Sequence, residues 1–141
     1  MIGKVLGLDL GEKTLGIAVS DIMGIIASGV ETFRFPDNEY DLALERVKYF
    51  VSKDGIKEIA LGLPLHMSGD ESDHSRLCRR FKEMIENAIP GIKVVLIDER
   101  WTTKQANRVL LQADLSRAKR KKVIDKMAAV VILETYLQMR G

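Results

Sequence analysis

With 141 residues, 46% of them hydrophobic, the chain is long enough to close one ordinary core without disulfides or a structural metal, and 1–141 reads as a single domain. Twenty-two Lys and Arg against twenty Asp and Glu leave a net charge of +2, too small to argue for a polyanion partner, so any basic surface must come from local distribution. The lone Cys78 rules out an internal disulfide, His66 and His74 do not share zinc spacing with it, and no apolar run reaches the roughly 20 residues of a membrane helix, so a soluble protein of a reducing, cytoplasmic compartment is expected.

The first 21 residues read as a strand, a tight turn and a second strand. Alternation puts Val5, Gly7, Asp9 and Gly11 on one face and Leu6, Leu8 and Leu10 on the other. After Gly11-Glu12-Lys13, Thr14, Gly16, Ala18 and Ser20 oppose Leu15, Ile17 and Val19 in the same way. The pattern predicts a hairpin with one packed face and one nearly bare, small-residue face, from which Asp9 projects alone. For an isolated Asp-x-Gly, an Asp that merely caps the turn is the commoner meaning, and only partners elsewhere in the chain overturn it.

Ile25 to Phe35 predicts a third strand, broken by Pro36-Asp37-Asn38, so that three antiparallel strands open the chain. Apolar residues at helical spacing from Tyr40 to Val51 predict a helix from Asn38 to about Lys53, with Asp37 or Asn38 as its cap and Gly55 as its end. The run Glu58 to Leu63, stopped by Pro64, is a short apolar strand, and strand, helix, strand implies a parallel crossover. His66 to His74 has the composition of a mobile loop at that strand's carboxyl end, on the substrate side. A second helix follows from Leu77 to Ala88, with Arg76, Arg79, Arg80 and Lys82 giving its early turns a basic side.

Lys93 to Ile97 is a buried strand leading into Asp98-Glu99-Arg100, and Thr102 to Gln105 matches a capping box for a third helix reaching Ala113. The densest charge run, Arg117 to Lys122, precedes a last helix of roughly Lys121 to Met139. Together these elements predict an α/β chain: a five-stranded mixed sheet, its first three strands antiparallel, flanked by helices.

Steps of 100° around the last helix put Asp125 on one stripe with Ala129, Ile132 and Tyr136, with Ala128 alongside. A carboxylate on a core-facing stripe needs a partner, although offsetting its own helix dipole would also account for it if the helix starts near Lys121. Asp9, Asp98 or Glu99, and Asp125 thus supply three carboxylates that one sheet could gather, and three such groups stay ionised together only around a cation. Hard, oxygen-loving Mg²⁺ or Mn²⁺ fits, and a pair of ions about 3.5–4 Å apart suits phosphodiester hydrolysis. Strand parity sends Asp98 and Glu99 to opposite faces, and does not choose between them. Lys119, Arg120, Lys121 and Lys122 bring positive charge for phosphate next to Asp125, where a solvated charged turn is the commoner meaning of such a run.

Four ordered motifs, Gly7-Leu-Asp-Leu-Gly11 with Gly16, Ala18, Ser20 and Asp21, Gly62-Leu-Pro-Leu65 with Gly69, Asp98-Glu-Arg-Trp-Thr-Thr103, and Asp125-Lys-Met-Ala-Ala129, resemble the YqgF or RuvX family over almost the whole chain. The resemblance implies a ribonuclease H-like fold and a cytoplasmic nuclease that matures the 5′ end of pre-16S rRNA during ribosome biogenesis. An alternative assignment in the family is a Holliday junction resolvase acting on branched DNA. Carried over residue by residue, it implies catalytic and metal-holding acids at Asp9, Glu99 and Asp125, with Arg100 a phosphate contact, and so favours Glu99 over Asp98. Trp101 departs from the smaller apolar residue expected there, and packing is its simplest role. Two rival readings are an actin-like or sugar-kinase phosphate hairpin, which needs two such domains, and a non-catalytic RNA-binding assembly factor.

Overall fold

A computed structural model describes residues 3–100 and 117–140, with side chains from Met127 onward in the second stretch. Its elements are β1 (Val5–Leu10), β2 (Thr14–Ser20), β3 (Ala27–Arg34), α1 (Tyr40–Asp54), β4 (Glu58–Leu63), α2 (Asp73–Ala88), β5 (Lys93–Asp98) and α3 (Arg117–Arg140). The strands form one sheet in the order β3-β2-β1-β4-β5. β1, β2 and β3 pair antiparallel because short connections join them, whereas β4 and β5 join parallel after the helical crossovers α1 and α2. This is the mixed sheet that the hydrophobic pattern predicts. The helix expected from Thr102 to Ala113, its capping box and Trp101 lie outside the described residues.

Helix ends differ from the sequence reading for local reasons. Neither Asp37 nor Asn38 caps α1: the cap position is Glu39, which makes no side-chain cap bond, and Asn38 takes the left-handed conformation at φ 66° that Asn tolerates. Gly55 ends the helix as expected, at φ 62° with its N–H on the Val51 carbonyl. α2 starts at Asp73, ahead of the apolar spacing, because Ser72 and Ser75 cap each other: Ser72 Oγ accepts from the Ser75 N–H at 2.9 Å and Ser75 Oγ from the Ser72 N–H at 2.8 Å.

Two cores lie on the two faces of the sheet. Leu6, Leu8, Leu10, Leu15 and Ile17 pack with Val47, Phe50, Phe81 and Ile85 of α1 and α2. Each such side chain, taken fully from water, contributes roughly 1.5–3 kcal/mol before entropy is counted. The opposite face is not bare, as alternation alone suggested: Val5, Ala18 and Ala60 pack with Ala129, Ile132, Leu133 and Tyr136 of α3. Its small residues let a helix backbone come down onto the strand. A Cβ on Gly7 would stand 2.7 Å from Leu133 Cβ and 2.9 Å from the Ala129 carbonyl oxygen.

The far end of α3 is pinned by Glu58, which accepts from Tyr136 Oη and from Arg140 Nη1, each at 2.6 Å. Burial alone would raise the Glu58 carboxyl, but these two donors outweigh it and hold the group below its ordinary value. Glu58 is paired with Val5, while Ala129 and Leu133 lie at Gly7. α3 therefore runs antiparallel to β1, and its earlier turns approach the Asp9 end.

Candidate active site

The carboxyl ends of β1, β4 and β5 lie side by side, where ligands of parallel α/β sheets bind. Asp9 sits one residue before the end of β1, half-buried, with Gly16 of β2 opposite it, so no side chain crowds it from that strand. Glu99 follows β5 directly and folds back over Gly62 of the intervening strand. A Cβ on Gly62 would meet Glu99 Cδ at 2.8 Å, Glu99 Cγ at 3.0 Å and Ile132 Cδ1 at 2.6 Å. The hydrogen atom at that position is thus what makes room for the Glu99 side chain beneath α3.

Glu99 hydrogen-bonds with Asp9. Burial first, then the charge of Asp9, then that hydrogen bond push the Glu99 carboxyl up to about 9, with a smaller contribution from Asp98. Two carboxyls this close share a proton at neutral pH when no cation offsets their charge. The Cys78 thiol, buried in the first core, is also pushed up, chiefly by burial and then by Glu99 and Asp9, which makes it a packing residue and not a nucleophile.

Asp98 turns away from this pair. It accepts from the Arg100 backbone N–H at 3.0 Å, from Nε at 2.8 Å and from Nη2 at 2.6 Å, and the guanidinium holds its carboxyl below the ordinary range. Geometry therefore brings Glu99, and not Asp98, to Asp9. Arg100 reaches on to the Met67 carbonyl with Nη1 at 3.4 Å, in the connection between β4 and α2.

That connection, expected to be mobile through His74, is closed by its own hydrogen bonds and stops sooner. The His66 N–H donates to the Asp70 carbonyl at 3.0 Å, the Gly69 N–H to the His66 carbonyl at 2.8 Å, and Ser72 Oγ to the Pro64 carbonyl at 2.6 Å. His74 belongs to α2, and its Nε2 donates to the carbonyl of Leu10, the residue after Asp9. The sequence reading gave His74 no such role; its place as the second residue of a helix that starts beside the site was hidden because the apolar spacing starts that helix too late. The basic side of α2 is largely compensated: Arg76 pairs with Asp73 at 3.0 Å, Arg79 with Glu71 at 2.8 Å and Lys82 with Glu86 at 3.0 Å.

Asp125 lies in α3, and its side chain, like those of Lys119, Arg120, Lys121 and Lys122, is outside the described residues. The backbone alone removes one explanation for it. α3 already runs from Arg117, not from Lys121, so Asp125 stands more than two turns inside, beyond the first turn over which a helix dipole acts. The basic run is likewise inside the first turns of α3 and not in a turn before it. Ala128, Ala129, Ile132 and Tyr136 are buried as the stripe predicted. With Ala129 on Gly7, the backbone of Asp125 is one turn nearer the Asp9 end of β1. Among the described residues, Asp9 and Glu99 are the acids brought together. Their hard oxygen donors, in a pair that only a proton or a cation relieves, fit a divalent metal of the Mg²⁺ or Mn²⁺ kind.

The sequence matches the RuvX family, described as Holliday junction resolvase, over residues 3–139. This chain is a member of that family. A relative from Oceanobacillus iheyensis is 47% identical over 137 residues, covering 97% of this chain and 99% of its own. One from Staphylococcus saprophyticus is 42% identical over 134 residues, covering 95% and 94%. Both carry the name "Putative pre-16S rRNA nuclease". Among solved structures, Thermus thermophilus RuvC in complex with a Holliday junction substrate superposes with a TM-score of 0.64 at 18% identity, over 99% of this chain and 97% of that one. The yeast mitochondrial Holliday junction resolvase Ydc2 gives 0.59 at 13%, over 97% and 78%. At such identities these structures speak to the fold, which in this RuvX chain is ribonuclease H-like. Resolvase and rRNA nuclease are both hydrolases of phosphodiester bonds, so the RuvX chain belongs among the nucleases.

Proposed function

We propose that this protein is a metal-dependent nuclease that processes the 5′ end of pre-16S rRNA, with Asp9, Glu99 and Asp125 as its catalytic acids. The observation that carries the reading is the fold of Glu99 across Gly62 of β4 onto Asp9, from the carboxyl end of the edge strand β5 to that of β1. It brings together two acids far apart in sequence, in a geometry that costs stability unless a cation or a proton joins them. Asp9, Glu99 and Asp125 would hold Mg²⁺ or Mn²⁺, which when bound supplies Lewis acidity and a water of lowered pKa.

The chain's own groups do the rest. Asp9 and Glu99 orient the centre, α3 and Ile132 exclude water from its inner side, and Arg100 offers N–H groups to a phosphate. Lys119, Arg120, Lys121 and Lys122 bind the backbone of the strand without reading its sequence. The choice of RNA follows the named relatives, because fold and metal chemistry are common to RNA and DNA cleavage. Among the described residues no helix is long and apolar enough to cross a membrane, and we place the activity in the cytoplasm.

The test is cleavage of a labelled pre-16S rRNA fragment and a four-way DNA junction, side by side in Mg²⁺ and Mn²⁺. The RNA is expected to be cut. Cleavage of the junction alone would make the protein a resolvase, and silence on both would leave an RNA-binding assembly factor. Replacing Lys119, Arg120, Lys121 and Lys122 by Gln should weaken RNA binding and flatten its salt dependence by about 0.7 in log–log slope for each phosphate that is no longer neutralised. A slope equal to wild type would return the run to a solvated helix face.

A further inference from the structure

Asp98 is the acid that the site does not gather, and its surroundings give it a different task. Its two oxygens grip one edge of the Arg100 guanidinium, Oδ1 also accepting the Arg100 backbone N–H. The other side of that guanidinium lies against the β4–α2 connection, where Nη1 faces the Met67 carbonyl. Gly69, held at a left-handed φ of +95°, lies beside it: a Cβ there would stand 3.4 Å from Nη1, in ordinary contact. A guanidinium carries five N–H groups. Nε and Nη2 spend one each on Asp98 and Nη1 spends one on Met67, so among the described residues each terminal nitrogen keeps one N–H. The Arg100 side chain is 26% exposed and stands one residue beyond Glu99, so a strand bound at the site can reach it.

We infer that Asp98 is a positioning residue: it holds Arg100 so that the remaining N–H groups meet a phosphate of the bound strand. The inference rests on the nuclease reading for its substrate, but it concerns binding and can be tested without turnover. It also predicts a sign that charge alone does not. Removing a carboxylate beside a polyanion site should tighten binding if only long-range repulsion counts. If Asp98 orients the arginine, its loss should weaken binding, because a side chain with many rotamers must then be ordered at the moment of contact.

The experiment measures affinity for the labelled RNA fragment in EDTA, for wild type, Asp98→Asn, Arg100→Ala and the double variant, with melting curves to check folding. Asn keeps the shape and the acceptor for the Arg100 backbone N–H, and loses the charged two-point grip. Asp98→Asn is expected to bind on the order of tenfold more weakly, as losses of orienting partners do. In the Arg100→Ala background it should add nothing. Tighter binding by Asp98→Asn would mean that Asp98 sequesters the arginine, and would overturn the inference. So would an equal loss when Arg100 is already absent, or a wild type that does not bind the RNA. Cleavage by wild type in Mn²⁺ is scored separately and bears on the nuclease reading alone; where it occurs, Asp98→Asn should change KM far more than kcat.

Discussion

Asp9→Asn is expected to lower cleavage by more than the roughly 10–100-fold that outer-shell partners of a metal site cost, because it strikes a residue proposed as a direct ligand. The change leaves volume almost untouched. It exchanges a charge for an amide that can still hydrogen-bond to Glu99, in a place where Gly16 opposite and Gly62 nearby leave room for either group. The melting temperature without metal should therefore hold or rise, since one of the causes that push Glu99 upward is the charge of Asp9 itself. Added Mn²⁺ should raise the melting temperature of wild type, by binding the folded state, and raise that of the variant much less. Turnover equal to wild type in Asp9→Asn would sink the site as assigned.

Gly7→Ala is the second large effect, and its sign separates two parts of the physics. In a strand, Ala normally improves on Gly by roughly 0.5–1 kcal/mol, through backbone entropy. Here the added methyl would sit 2.7 Å from Leu133 Cβ and 2.9 Å from the Ala129 carbonyl oxygen, and neither atom lies at the far end of a flexible side chain. α3 has to lift, at a cost typical of overpacked cores, roughly 1–3 kcal/mol. The same lift would carry the backbone of the proposed acid Asp125 away from Asp9, so activity should fall along with stability. Urea titration would show the loss as a lower midpoint at unchanged slope. A midpoint above that of wild type would mean that the helix is not held against the strand as described.

Much of this was open to a reader of the sequence. Period-two alternation in β1 and β2 and the apolar runs of β4 and β5 define the sheet, because burial on a pleated surface leaves a direct mark on residue type. The buried stripe of α3 was equally plain. What alternation could not say was what covers the small-residue face, since glycine and alanine signal space without naming its occupant. Gly62 is the clearest case: it reads as one more small residue in a strand, and its function becomes visible only with Glu99 folded over it. Parity left Asp98 and Glu99 equivalent because it describes a regular strand, whereas the choice is made just past the end of β5, where Arg100 captures Asp98. The capping signals failed in part because Asn38 prefers the left-handed turn and Ser72 the cap, preferences of neighbouring polar residues that compete on nearly equal terms.

The helix that rests on Gly7 is made after every other described element. β1 to β5, with α1 and α2, can close the first core while translation continues, since domains gather their structure from the amino end. Until α3 arrives, Val5, Gly7, Ala18 and Ala60 present an uncovered strip, and Asp9 and Glu99 lack the helix that bears Asp125. A nascent chain is thus expected to be without cutting power, which would switch on only once α3 has been made.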